Sequence, residues 1–201
     1  MSRSSALDAA LTHDVAVYGR PGGRKRLELS TDDALGSRRV LLVVARRGSR
    51  WVEVRLPMRP NGSTGWVRTR SVELRRTAWR AVVSLSRRRL TLLHDGAVVR
   101  RFTVGVGSGT TPTPTGLFAV TDRILTGDPS GPYGPVAFGL SGFSDVIHRF
   151  NGGPGQIAIH GTDESWTIGR AASLGCVHVS DSQIMSLYPD LQLGTPVLIR
   201  R

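Results

Sequence analysis

The sequence predicts a mainly β protein with little helix, organised as two units that meet near residue 76. Three observations predict this. Short β-branched or alternating runs recur along the whole chain, clusters of Gly, Pro, Asn and Ser separate them, and a single window, 181–188, has a helix-like pattern with Ser180 or Asp181 placed to cap its start. A chain of 201 residues, 39% hydrophobic and 21% charged, lies within the globular range and is long enough for one or two cores.

Residues 1–14 read as an N-terminal tail, and 1–13 contain no apolar stretch of the kind a secretory signal needs. The first unit, 15–75, follows. Residues 15–18, 39–45, 50–56 and 65–67 are its strand-like runs, which suits a small all-β barrel or sandwich. The pattern Trp51-Val52-Glu53-Val54-Arg55-Leu56, a turn at Pro60-Asn61-Gly62, then Gly65-Trp66-Val67 and Val72-Glu73-Leu74 resembles the bacterial Src-homology-3-like family. That resemblance implies a targeting or packing module, with Trp51 and Trp66 expected to fill its core. Residues 75–78 are expected to be a short linker.

The second unit continues the strand rhythm over 81–85, 89–93 and 98–105, with His94-Asp95-Gly96 as a hairpin turn and His94 as no more than a turn residue. Residues 108–116, Ser-Gly-Thr-Thr-Pro-Thr-Pro-Thr-Gly, can form neither helix nor central strand. Residues 128–142 are also rich in Gly and Pro and read as a loop anchored by Tyr133 and Phe138. Loops this long within a compact domain are more often functional than idle.

Charge narrows the partners. The net charge is +12, and of 27 basic residues only Lys25 is a lysine. Such a field attracts polyanions. The arginines are scattered in short clusters without a recognition helix or an aromatic-basic motif, so a generic basic surface is expected and no nucleic-acid partner. The longest apolar run, 40–45, is strand-sized, far short of a membrane span. One cysteine rules out an intrachain disulfide.

That cysteine raises the functional question. Ile157-Ala158-Ile159-His160-Gly161-Thr162 places a histidine at the end of an apolar strand, and sixteen positions later comes Cys176, preceded by Gly175 and followed by Val177-His178-Val179. A thiol reacts as its thiolate and needs a base nearby, for which His160 is the natural candidate. The backbone N–H groups of Gly175 and Cys176 can approach a substrate carbonyl as an oxyanion hole. A lone cysteine among Leu, Gly and Val is also a common small core residue. His160, Cys176 and His178 lack the tight spacing of a metal site, so no metal and no cofactor are expected. On composition and spacing alone, a catalytic and a structural cysteine both remain open.

The run from Ile157 to Arg200, with its Ile-His-Gly-Thr strand end, Ser-x-Gly-Cys segment and closing Gly-Thr-Pro-Val strand, resembles the L,D-transpeptidases of the YkuD family. Thr113-Pro114-Thr115-Gly116 and Tyr133-Gly134-Pro135 match it too. The resemblance covers residues 78–201 and implies a β-sandwich-like catalytic domain acting on the stem tetrapeptide of peptidoglycan. Cys176 is then the nucleophile, His160 the base, Gly175 an oxyanion donor and Ser173 a polar organiser. Tyr133, His178, Gly161 and Thr162 are placed as substrate contacts. Leu174 and His178 depart from the family pattern, which commonly has histidine at the first position and arginine or asparagine at the second. An arginine would be a permanent, forked cation, whereas histidine is neutral or charged according to pH. The resemblance further implies an extracytoplasmic location, carbapenems as covalent inhibitors, and anionic wall polymers as partners for the basic surface. A carboxypeptidase using water, or a non-catalytic wall-binding protein on the same scaffold, is the alternative.

Overall fold

The computed structural model describes residues 5–201, so residues 1–4 of the expected tail lie outside it. The described residues form two antiparallel-rich sheets, each with its own core. The first contains β1 (Ala6–Leu11), β2 (Val15–Tyr18), β3 (Lys25–Leu29), β4 (Val40–Arg47), β5 (Trp51–Arg55), β6 (Thr64–Arg68) and β7 (Val72–Thr77), in the order β3-β2-β6-β5-β4-β1-β7.

Two expectations fail here. The tail is not a tail beyond residue 5: β1 lies between β4 and β7 and pairs with both, and buried Asp8 meets Arg75 at 3.3 Å. Ala-Leu-Asp-Ala-Ala-Leu has no β-branched residue, so the extended conformation comes from two ladders of backbone hydrogen bonds rather than from local preference. For the same reason 75–78 is hardly a linker: β7 runs to Thr77, and Ala78 alone separates it from the next strand. The core of this sheet is aliphatic, with Leu11, Val15, Val17, Leu41, Val52, Val54 and Val67. Trp51 instead packs edge-on against Tyr18 at 5.2 Å with the Arg68 guanidinium over its ring, and Trp66 is only half-buried. Alternation along Gly65-Trp66-Val67 points Val67 inward and so turns Trp66 away.

The second sheet contains β8 (Trp79–Ser84), β9 (Arg89–His94), β10 (Ala97–Thr103), β12 (Gly116–Leu125), β13 (Val136–Phe143), β14 (Gln156–His160), β16 (Val177–His178) and β17 (Pro196–Arg200). Its order is β10-β9-β8-β17-β12-β13-β14-β16, with β11 (Val106–Gly107) and β15 (Ala171–Ser173) forming a small parallel pair beside it. The hairpin at Asp95-Gly96 forms as expected, both residues at positive φ. The single α-helix of the described residues, α1 (Asp181–Leu187), packs Ile184 and Leu187 into the core. No helix there is long and apolar enough to cross a membrane.

The expected loop 128–142 ends early, because Val136–Phe143 is a strand buried at every position. Its glycines belong to packing: a Cβ at Gly139 would lie 2.4 Å from Asp122 Oδ2, and one at Gly142 would lie 2.6 Å from the Phe118 ring. A strand buried on both faces shows no alternation, and its glycines imitate turn signals.

Candidate active site

β14 and β16 run parallel, with Ile159 opposite Val177 and His160 opposite His178, which sets Ala158 beside Cys176. Residues two apart share a face of a strand, so Ala158, His160, Cys176 and His178 form a four-cornered patch on one face. All four line a cleft of about 530 Å³. The Ala158 N–H donates to Cys176 Sγ at 3.4 Å, a contact that favours the thiolate. Burial acts more strongly and pushes the thiol pKa up.

Hydrogen bonds assign the state of each imidazole. His160, 3% exposed, bonds through Nδ1 to the C=O of Gly161, so Nδ1 carries the proton and Nε2 holds a free lone pair. Burial, reinforced by the neighbouring His178, lowers its pKa to about 4. His178 is 7% exposed, and its Nδ1 lies 2.8 Å from Thr167 Oγ1. That hydroxyl already donates to the C=O of Glu164 at 2.8 Å, so His178 must donate to it. Both imidazoles therefore turn Nε2 away from their anchors. At rest the site holds a neutral thiol and neutral imidazoles, a set that can pass a proton from sulfur to nitrogen.

The site thus combines a histidine ending one strand, a cysteine entering its parallel neighbour, and a histidine tautomer fixed by the backbone. A family model described as the L,D-transpeptidase catalytic domain, YkuD, matches residues 78–199. The chain belongs to the L,D-transpeptidase family. It is 31% identical over 119 residues to the YkuD protein of Bacillus subtilis, an alignment that takes in 59% of this chain and 64% of that relative. The chain thus spans less than two thirds of that relative's length. The YqjB protein of the same organism is 27% identical over 130 residues, 59% of this chain and 69% of its own length. L,D-transpeptidase 3 from Mycobacterium tuberculosis, solved with a faropenem-derived adduct, superposes with a TM-score of 0.50 at 15% identity, covering 82% of this chain and 92% of that one. At that identity the likeness concerns the fold.

In this L,D-transpeptidase domain the remaining motif residues divide between cleft and scaffold. Ser173 Oγ donates to the C=O of Cys176 at 2.6 Å and accepts from the Gly175 N–H at 3.1 Å, closing a tight turn around Cys176. The N–H of Gly175, expected as an oxyanion donor, is therefore already engaged. What glycine supplies there is conformation, φ +123°. Tyr133 lines the cleft and meets His160 edge-on at 5.0 Å.

Gly161 and Thr162, expected as substrate contacts, face the other way. A Cβ on Gly161 would lie 2.4 Å from Asp181 Oδ1, and the Thr162 N–H donates to that same oxygen at 3.1 Å. Asp181 thus clamps the turn that holds His160, a role hidden in the sequence by its position at a helix start. The loop 108–116 is ordered against the site, with Thr111 Oγ1 and the Ser108 N–H both donating to the C=O of Ser173. Thr167, Asp163, Glu164 and Trp166 also belong to the site. Only their position just after the His-Gly-Thr motif hinted at it.

Proposed function

We propose that this protein is a peptidoglycan L,D-transpeptidase acting outside the cytoplasmic membrane. Cys176 attacks the carbonyl of the third residue, a diamino acid, in a stem tetrapeptide. The thiol proton passes to His160 Nε2 and then to the departing nitrogen, so D-alanine leaves and a thioester remains. A side-chain amine of a second stem then takes the acyl group. The oxyanion of each tetrahedral intermediate is stabilised by the backbone N–H of Cys176, since that of Gly175 is held by Ser173. Tyr133 forms a wall of the donor cleft.

The observation that carries this reading is the shared face of His160 and Cys176 in the β14–β16 register. Family membership supports it. We further assign residues 15–75, extended by β1, to a bacterial Src-homology-3-like module, and residues 78–201 to the catalytic domain. The +12 charge suits a wall rich in stem carboxylates and acidic polymers.

Intact-protein mass spectrometry tests the proposal. With a carbapenem, the wild type gains one stoichiometric adduct and Cys176→Ala gains none; with a stem tetrapeptide, D-alanine is released. Absence of any adduct on reduced wild-type protein would overturn it.

A further inference from the structure

The active-site cleft runs against the charge of the molecule around it. Of 201 residues 27 are Arg or Lys, yet among the described residues none of these lines the cleft, whose only charged side chains are Asp163 and Glu164. At the same end lies His178, more than nine-tenths buried. Its Nδ1 proton is committed to Thr167, and its Nε2 has no hydrogen-bond partner among the described residues. Burial lowers the pKa of this imidazole, and the carboxylate of Asp163, which lines the same cleft, acts in the opposite sense. The other groups facing His178 are the His160 ring at 4.7 Å and the backbone of Gly105, which pairs with it. Among the described residues that line the cleft beside it there is no arginine or lysine. Where an arginine would repel an ammonium ion, this chain presents a carboxylate and a lone pair.

Chemistry supplies the need. An acyl-thioester is attacked by a neutral amine, and an alkylamine near neutral pH is an ammonium ion. Forming the amide removes two protons from that nitrogen. His160 has one vacant position, and the proton it takes is the one returned to sulfur.

Building on the transpeptidase reading, we infer that His178 is a second base specific to the acceptor half-reaction, with Asp163 holding the cationic acceptor amine beside it. The ammonium gives one proton to His178 Nε2. The freed lone pair forms the C–N bond at the thioester carbonyl, and the second proton passes to His160 Nε2. The C–S bond then breaks with its electron pair on Sγ, the thiolate recovers the proton from His160, and His178 releases its proton to water. The acceptor class is thus an alkylammonium, the form of a diamino-acid side chain.

The test compares two nucleophiles on the same acyl-enzyme: the side-chain ammonium of an Nα-acetylated diamino acid amide, and hydroxylamine, which is already neutral at pH 7. In the wild type both are acylated. In His178→Gln the ratio of ammonium to hydroxylamine aminolysis falls by about a hundredfold, the scale of a lost general base. In Asp163→Asn the KM for the ammonium acceptor rises about tenfold while that for hydroxylamine does not follow. Asp163 is exposed, so this variant carries the test if His178→Gln does not fold. An unchanged ratio in both variants, whether both nucleophiles slow equally or neither slows, overturns the inference and leaves the donor reaction standing. A wild type that forms no acyl-enzyme with the tetrapeptide removes the transpeptidase reading itself.

Discussion

Arg59, from the loop between β5 and β6, donates to the C=O of Ser144 at 2.7 Å, and Ser144 lines the catalytic cleft. The same guanidinium reaches the C=O of Pro154 at 2.8 Å and of Ile147 at 3.2 Å, and stacks over Phe143. Beside it, Asn61 pairs with both the N–H and the C=O of Phe143, as a neighbouring strand would. The first sheet therefore holds the segment that forms one wall of the cleft.

Removing that clamp should loosen the wall. Arg59→Ala loses three charge-assisted bonds to carbonyls and is expected to cost about 2 kcal/mol in chemical denaturation and to raise the KM for the donor peptide severalfold. Arg59→Lys should rescue little, because a point ammonium cannot reach three acceptors as a fork does. Wild-type stability and KM in Arg59→Ala would show that the contact is idle.

Asp33 meets Asp122 across the same boundary. Burial first, then the Asp122 carboxylate, raises the pKa of Asp33, while buried Asp122 Oδ1 has no other partner among the described residues. A raised folded pKa means stabilisation that is complete below the unfolded value and is lost as pH rises through the folded one. Asp33→Asn donates through Nδ2 at any pH and still accepts from the N–H groups of Leu35 and Ser37. Solvent screens this partly exposed pair, so the gain at neutral pH should be no more than about 0.5 kcal/mol. That advantage should vanish below about pH 4, and a gain independent of pH would count against a shared proton.

The neutral state of His160 sets an acid limit on acylation. With its pKa lowered to about 4 by burial, the base remains available well below the range of an ordinary histidine. The acidic limb of kcat/KM for carbapenem acylation is therefore expected near pH 4. A limb near the unperturbed value of about 6.5 would mean that the imidazole is solvated in the working enzyme.

Gly161 tests the Asp181 clamp. A methyl group there would clash with both Asp181 Oδ1 at 2.4 Å and the Gly134 backbone at 2.9 Å. Gly161→Ala is expected to lose about 1–3 kcal/mol and at least tenfold in acylation rate, because the carbonyl that orients His160 moves with it. An unperturbed melting temperature would show that the turn yields freely.

Ser173→Ala removes the hydroxyl that ties Cys176 C=O to Gly175 N–H. The expected loss is about 1–2 kcal/mol, with slower acylation while thiol titration still counts one accessible cysteine. Faster acylation would mean that the freed Gly175 N–H is the better oxyanion donor.

Much of this was legible in the residues themselves. Alternating β-branched runs located most strands, Asp95-Gly96 announced its hairpin, and His160 and Cys176 within strand-like flanks stood out as a candidate pair that the family resemblance then favoured. What misled was local composition where packing overrules it: alanines in β1, and glycines in β13 that make room for Phe118 and Asp122.

The sequence by itself thus determined the fold class and, through the resemblance its ordered motif carries, singled out Cys176 and His160 as candidate nucleophile and base, because hydrophobic periodicity and a short ordered motif are properties of neighbours along the chain. Only the tertiary structure decided which nitrogen of each histidine is free, that Asp181 rather than substrate faces Gly161 and Thr162, and that Arg59 braces the cleft. Those depend on hydrogen bonds between groups up to 95 residues apart, and such bonds leave no periodic trace in the sequence.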